Sequence, residues 1–178
     1  STQEDESAVL LDGQDDARAI QGVGRLSPDH IFVPAVETGW LPPLIDSIHG
    51  GGAGLVLGMG AATLRQALSR MATSLAMDGD GVLPQTAHQW IGSAFDIGVE
   101  VTRLRDGRLR VARISEIRVD AHGVRLQDIF TFTYHRTAAG GSIEGSFYAT
   151  GTVPRIVEDL AAHGLVLDTQ MFRRQSGS

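Results

Sequence analysis

Apolar positions change their spacing along this chain, and each change predicts a new element. His30 to Val36 is a short apolar run closed by prolines and Gly39, and Gly54 to Leu57 is a second; runs of this kind predict buried strands of a parallel sheet. Leu44, Ile45 and Ile48 lie between them, so the pattern reads as α/β layering. From Thr63 onward Leu64, Ala67, Leu68, Met71, Ala72 and Leu75 recur at helical spacing, with Thr63 placed to cap the first turn and Arg65, Gln66 and Ser69 on the solvent side. Ala8 to Leu11 predicts a short strand before an acidic turn, and Gln14 to Leu26 a weak helix or loop. After a break at MDGDGVLP, Pro84 to Ala94 predicts another helix, with Leu83, Ala87, Trp90, Ile91 and Ala94 on its apolar side.

At Phe95 the period switches from helical to alternating. Ile97, Val99 and Val101 alternate with polar or small residues up to Asp106-Gly107, a hairpin signal. Leu109, Val111, Ile114, Ile117 and Val119 continue the sheet to a turn at His122-Gly123, and Val124 to Tyr134 and Ser142 to Ala149 supply two more strands around the loop TAAGG. Four strands in succession predict a meander. Pro154 opens a terminal helix with Ile156, Val157, Leu160 and Ala161 apolar and Gly164 at its end, after which Met171 and Phe172 are expected to pack on the core. The expected organisation is a flexible stretch over 1–7, an α/β part over 8–94, a β-meander with a C-terminal helix over 95–173 on the same core, and a flexible tail over 174–178.

Composition narrows the chemistry. A chain of 178 residues allows one compact core with a small annex. With 42% hydrophobic and 20% charged residues it reads as soluble and globular, and its net charge of -6 argues against non-specific binding to nucleic acid or anionic membrane. No apolar run approaches the roughly 20 residues that span a bilayer, and no signal-peptide pattern is present, so the expected location is cytoplasmic. Cysteine is absent, which excludes disulfides, thiolate nucleophiles and cysteine zinc sites. All 15 basic residues are arginine; without lysine this chain supplies neither the lysine of a Walker A loop nor a Schiff-base amine.

Local motifs offer little catalysis. Asp12, Asp15 and Asp16 lack a second acidic cluster and read as a solvated turn; Asp78 and Asp80 resemble a calcium loop whose twelfth position is Gln89 instead of a glutamate. His30, His49, His88, His122, His135 and His163 show no ligand spacing, so no metal site is expected. Ser142 sits in GGSIEG, where Glu144 replaces the glycine of a nucleophile elbow. LVLGMGAATLRQAL has the layout of strand, glycine turn and helix that cradles a pyrophosphate, but Thr63 stands where a third glycine belongs.

Taken together, FDIGVEVTRLRDGRLRVARISEI from Phe95 to Ile117, VRLQDIFTF from Val124 to Phe132 and FYATGTVPRIVEDLAAHGLVLDTQMF from Phe147 to Phe172 resemble the C-terminal part of CpaF-like ATPases, the bacterial hexameric motors of Tad pili related to type II and type IV secretion ATPases. The resemblance extends back to about Ile31. It implies a truncated RecA-like layer, the C-terminal half of a P-loop NTPase, ahead of the meander. It also aligns Ala35 with the family's water-positioning glutamate, Glu37 with an arginine, and Gly52 and Gly60 with two phosphate-side histidines, whereas Arg65 and Arg70 fall where the family's helix has arginines. The Walker A half has no counterpart here.

These departures lead to the expectation of a pseudo-ATPase, since phosphoryl transfer depends almost wholly on positioning and charge stabilisation. It would bind no cofactor of its own, with ATP bound only if another segment or chain completes the site. It would act through protein contacts with itself or with a secretion or pilus ATPase, in the cytoplasm or at the inner face of the membrane. Nucleotide or interface contacts are expected at Gly58, Gly60, Thr63, Arg65, Arg70 and Arg155. The alternatives are the C-terminal fragment of an active ATPase whose Walker A lies outside this chain, and a nucleotide-binding regulator that does not hydrolyse.

Overall fold

The structure, a computed structural model, describes residues 7–11, 22–23, 28–51, 54–78, 82–120 and 123–174. The expectations for Asp12, Asp15, Asp16, Gly52, Asp80, His122 and most of Gln14 to Leu26 lie outside them. The chain divides into two compact units, Ser1–Phe95 with Ala121–Gly123, and Asp96–Asp120 with Val124–Ser178. One carries a parallel sheet and helices, the other an antiparallel sheet, so the fold is mixed α/β.

In the first unit β1 (Ala8–Leu10), β2 (His30–Val33) and β3 (Gly54–Leu57) form a parallel sheet in that order. Helix α1 (Leu41–Gly51) tolerates Pro42 and Pro43 because its first turn has no intrahelical acceptors for their missing N–H groups. Leu41, Leu44 and Ile45 are fully buried, and Leu44 joins Leu11, Val23, Ile31, Val33 and Trp40 in one apolar cluster. The predicted helix from Thr63 is α2 (Leu64–Asp78), with Ala67, Leu68, Met71, Ala72 and Leu75 buried and Arg65, Gln66 and Ser69 exposed as expected. Helix α3 (Pro84–Ala94) has the predicted bounds and buries Ala87 and Ile91, but Leu83, expected on the apolar side, is exposed because it precedes the first turn.

Two expectations for this sheet change. The run His30 to Val36 is a strand only to Val33; Pro34 cannot donate a ladder hydrogen bond, and the chain bends there. Only one sheet face is buried. Ile31 and Val33 point into the core, whereas Leu10, Phe32 and Val56, which lie side by side in register, are 67%, 39% and 58% exposed.

Ser7, the first described residue, is tied to the segment ahead of β2. The Ser7 N–H and hydroxyl both donate to the Asp29 carboxylate, at 2.8 and 3.1 Å, and the Asp29 and His30 N–H groups donate to the Ser7 carbonyl. These bonds hold the Asp29 carboxyl below its ordinary value.

The second unit is a meander in sequence order, β4 (Ile97–Arg103), β5 (Leu109–Asp120), β6 (Gly123–Thr137) and β7 (Ile143–Ala149). The β4–β5 turn falls at Asp106-Gly107, as predicted, with Gly107 at φ +80°. Asp106 does more than turn the chain. Its carboxylate accepts from the Arg108 N–H at 3.1 Å and from the Ile143 N–H at 3.0 Å, tying the hairpin to the start of β7. Helix α4 (Ile156–Ala162) ends as Gly164 requires: with Gly164 at φ +84°, the Gly164 N–H reaches Ala161 and the Leu165 N–H reaches Leu160, a Schellman closure.

Burial in this unit departs from the alternation at several positions. Val99 and Val101 are 54% and 55% exposed, and Leu109 and Val111 are exposed as well. Ala161 and Met171 are likewise exposed, while Val157 and Phe172 pack with Ile129, and Ile97, Ile114 and Phe130 lie against them. The strand period identifies two faces; where only one end of a face is covered, the rest of its apolar residues meet solvent.

The two backbone bonds to Asp106, the Ile143 N–H first and the Arg108 N–H second, hold its carboxyl below the ordinary 3.8. A depressed carboxyl stabilises the fold above the unfolded-state value and loses that contribution as pH falls through the lower folded value. The stability difference between the wild type and Asp106→Ala is therefore expected to be constant at neutral pH and to shrink as pH falls below the ordinary 3.8, measured by urea titration.

Candidate functional site

Because β2 and β3 run parallel, the loops that leave them, 34–37 and 58–63, emerge at the same edge of the sheet. The carboxyl edge is where open α/β sheets bind ligands. The two loops are locked together at Gly58, whose N–H donates to the Val33 carbonyl at 2.7 Å and whose carbonyl accepts from the Val36 N–H at 2.8 Å. Only glycine permits this approach: a Cβ at position 58 would lie 2.0 Å from the Pro34 carbonyl oxygen.

The loop then enters α2 through a capped turn. Thr63 Oγ1 accepts from the Gln66 N–H at 3.1 Å, and Gln66 Oε1 reaches back to the Ala62 N–H at 3.0 Å. This is close to a capping box, with the reciprocal bond displaced by one residue. Arg70 extends from the second turn of α2 and its Nη1 donates to the Gly60 carbonyl at 2.8 Å. Its role is to hold the loop. Gly60 itself is exposed, with no atom within 4 Å of where a Cβ would stand.

Gly58, Gly60, Thr63 and Arg70 thus come together at one sheet edge, and Ala35 lies in the loop that Gly58 locks. Arg65 is exposed on the solvent side of α2. Glu37 is exposed, and its carbonyl accepts from the Trp40 N–H at 3.0 Å. Arg155 belongs to the second unit, where its N–H donates to Glu116 Oε1 at 2.9 Å and its Nε lies 3.5 Å from the same oxygen. Gly52 lies outside the described residues.

The chemistry of this edge is sparse. Among residues 34–37 and 58–63, Glu37 is the one ionisable side chain, and position 35 presents a methyl group. No group of three or more histidine, aspartate or glutamate side chains is placed to hold a metal ion among the described residues. In the second unit His135 Nε2 lies 3.1 Å from Ser146 Oγ and 3.0 Å from the Tyr148 hydroxyl. Two exposed hydroxyls share one ring nitrogen there, unlike a serine nucleophile whose base is oriented through its second nitrogen.

Two features were not singled out in the sequence. Glu116 is 3% exposed and gathers Arg118 and Arg155; its only sequence trace is the adjacent polar pair Ser115-Glu116, which breaks the alternation of β5. Arg110 lines an open groove, and its trace is the arginine-rich hairpin LRDGRLRVAR. No helix among the described residues is long and apolar enough to cross a membrane. No protein-family model matches the chain, and no curated protein matches it.

Proposed function

We propose that this chain is a catalytically inactive counterpart of CpaF-like secretion and pilus ATPases, with a RecA-like remnant in its first unit, that works through protein contacts in the assembly or regulation of such a motor. The observation that carries this reading is the bare face of the parallel sheet. Parallel sheets are covered on both faces in stable α/β proteins, yet Leu10, Phe32 and Val56 form an exposed stripe across all three strands. An apolar stripe of this kind suits a protein partner.

The loop chemistry supports the loss of hydrolysis. Ala35 cannot accept a proton or orient water, and Arg70, which reaches the glycine loop, is engaged with the Gly60 carbonyl. In this reading the protein works in the cytoplasm, at the inner face of the membrane when part of the motor.

Purified protein with Mg-ATP is expected to release phosphate at the rate of a buffer blank, and to co-purify with the secretion ATPase of the same cell. Val56→Asp should abolish that co-purification without unfolding the chain, since Val56 is already 58% exposed. Phosphate release above the blank that disappears on mutating Glu37 or Arg65 would overturn the proposal.

The same bare face supports a second reading, the C-terminal fragment of an active ATPase whose preceding half covers it. An in-frame P-loop sequence upstream in the gene selects that reading. A non-hydrolysing nucleotide regulator built on residues 58–63 predicts thermal stabilisation by ATP, ADP, NAD or a cyclic dinucleotide at millimolar concentration.

A further inference from the structure

The second unit contains an open groove of about 350 Å³ lined by Leu109, Arg110, Val111, Phe132, Gly145 and Phe147. Gly145, paired with Tyr134 across the sheet, lets Phe132 lie flat against the strand; a Cβ there would stand 2.3 Å from Phe132 Cζ and 2.5 Å from the Thr133 carbonyl oxygen. Arg110 extends over the Phe132 ring, with Cζ 5.8 Å from its centroid. Its Nη2 donates a long 3.4 Å bond to the Ile143 carbonyl, and its Nε is buried with no hydrogen-bond partner. Its Nη1 makes no hydrogen bond among the described residues, and a carboxylate is the best acceptor for a guanidinium donor.

The charge around the groove has the same sign. Residues 103–113 hold five arginines and one aspartate in a chain of net charge -6. Among the described residues Arg113 is paired, with Asp128, whereas Arg103, Arg105, Arg108 and Arg110 have no carboxylate within 4 Å. The groove calls for an extended apolar segment that ends in a carboxylate.

The chain carries such a segment. Beyond the Schellman closure of α4, Leu165, Val166 and Leu167 are 59%, 88% and 41% exposed and adopt neither helix nor strand, and Asp168 follows them. Asp168 Oδ1 accepts from the Gln170 N–H at 2.9 Å, which leaves Oδ2 for another donor. We propose that Leu165–Asp168 of one copy seats in the groove of a second copy, its apolar side chains on Phe132 and Phe147 and its carboxylate accepting from Arg110. Groove and segment are different patches, so the contact is head-to-tail and propagates into a ring or an open chain.

Four residues bury far less than the roughly 1,200–2,000 Å² of a stable complex, which sets the expected dissociation constant at about 0.1 mM. The contact uses nothing of the parallel-sheet unit. Its failure leaves the proposed function standing, and failure of that function leaves the contact standing.

Sedimentation velocity of the full chain from about 10 μM to 0.5 mM tests it, a range chosen to bracket that constant. The wild type should associate with rising concentration, and Val166→Asp and Arg110→Glu should each weaken association at least about tenfold. An equimolar mixture of Arg110→Glu and Asp168→Arg chains should associate again, since the intact groove of one meets the intact segment of the other. Val166 is exposed, so its variant decides the matter even if Asp168→Arg disturbs the turn it caps. A monomeric wild type at the highest concentration overturns the proposal. So does a Val166→Asp variant with native circular dichroism that associates like the wild type, including association that Val56→Asp removes instead.

Discussion

Replacing Glu116 with alanine is expected to be the most destabilising single change in the second unit, lowering its unfolding midpoint by roughly 10–20 °C. Glu116 sits within β5 at 3% exposure, and both carboxylate oxygens are engaged. Oε1 accepts the Arg155 N–H at 2.9 Å, and Oε2 accepts from Arg118 Nε at 2.7 Å and lies 2.6 Å from Nη2. Removing one partner of a fully buried ion pair costs about 3–5 kcal/mol because the other charge is stranded. Here the Arg118 and Arg155 side chains are 39% and 64% exposed and can turn to water. The expected loss is therefore about 2–3 kcal/mol, most of it from the acceptor lost to the Arg155 N–H and the space left behind. Glu116→Gln keeps the shape and one acceptor and should cost less. Thermal unfolding followed by circular dichroism checks both; an alanine variant that melts with the wild type would mean that the carboxylate does not hold β5 to the start of α4.

The second large effect is expected at Gly58, where alanine should cost about 2–4 kcal/mol. The added Cβ would meet the Pro34 carbonyl oxygen at 2.0 Å and its carbon at 2.8 Å. Both are backbone atoms, so relief requires the loops to separate and to lose the Gly58–Val33 and Val36–Gly58 hydrogen bonds. Gly60→Ala provides the contrast: nothing lies within 4 Å of its Cβ position, and its effect should stay within about 0.5 kcal/mol. Urea unfolding monitored by Trp40 and Trp90, both in the first unit, separates the two. Equal costs at the two glycines would show that the close approach at Gly58 is not what binds the loops.

What the sequence disclosed was mainly local. Thr63 could be read as a cap because its acceptor and the Gln66 donor are three residues apart, and Gly164 as a helix end because the Schellman bonds span five residues. The apolar stripe of α2 was equally legible, since each turn repeats the same demand. Alternation in β4 revealed two faces but could not say how much of the apolar one is covered, and Val99 and Val101 are half exposed. The parallel strands failed in the opposite sense. An unbroken apolar run reads as buried on both sides, yet Phe32 and Val56 are bare. Glu116 was illegible because its partner Arg155 lies 39 residues away, and a single acid in a strand reads as a solvent-facing position. Of the candidate site, the gathering of Gly58, Gly60, Thr63 and Arg70 was within reach of the sequence, whereas the engagement of Arg70 with Gly60 depends on the path of the loop.

The strand order of the meander bears on how the chain acquires its shape. Each pairing joins segments that follow one another, so loop-closure entropy is small at every step, and hairpins can zip outward from the Asp106-Gly107 turn. The parallel sheet has no such shortcut: Ala8 must find His30, and His30 must find Gly54, across long intervening stretches before either ladder gains a bond. Low contact order in one half and crossover pairing in the other make the meander the early-folding partner, and leave the parallel strands as the slow step during which Ile31 and Val33, buried in the finished fold, are open to capture by another chain.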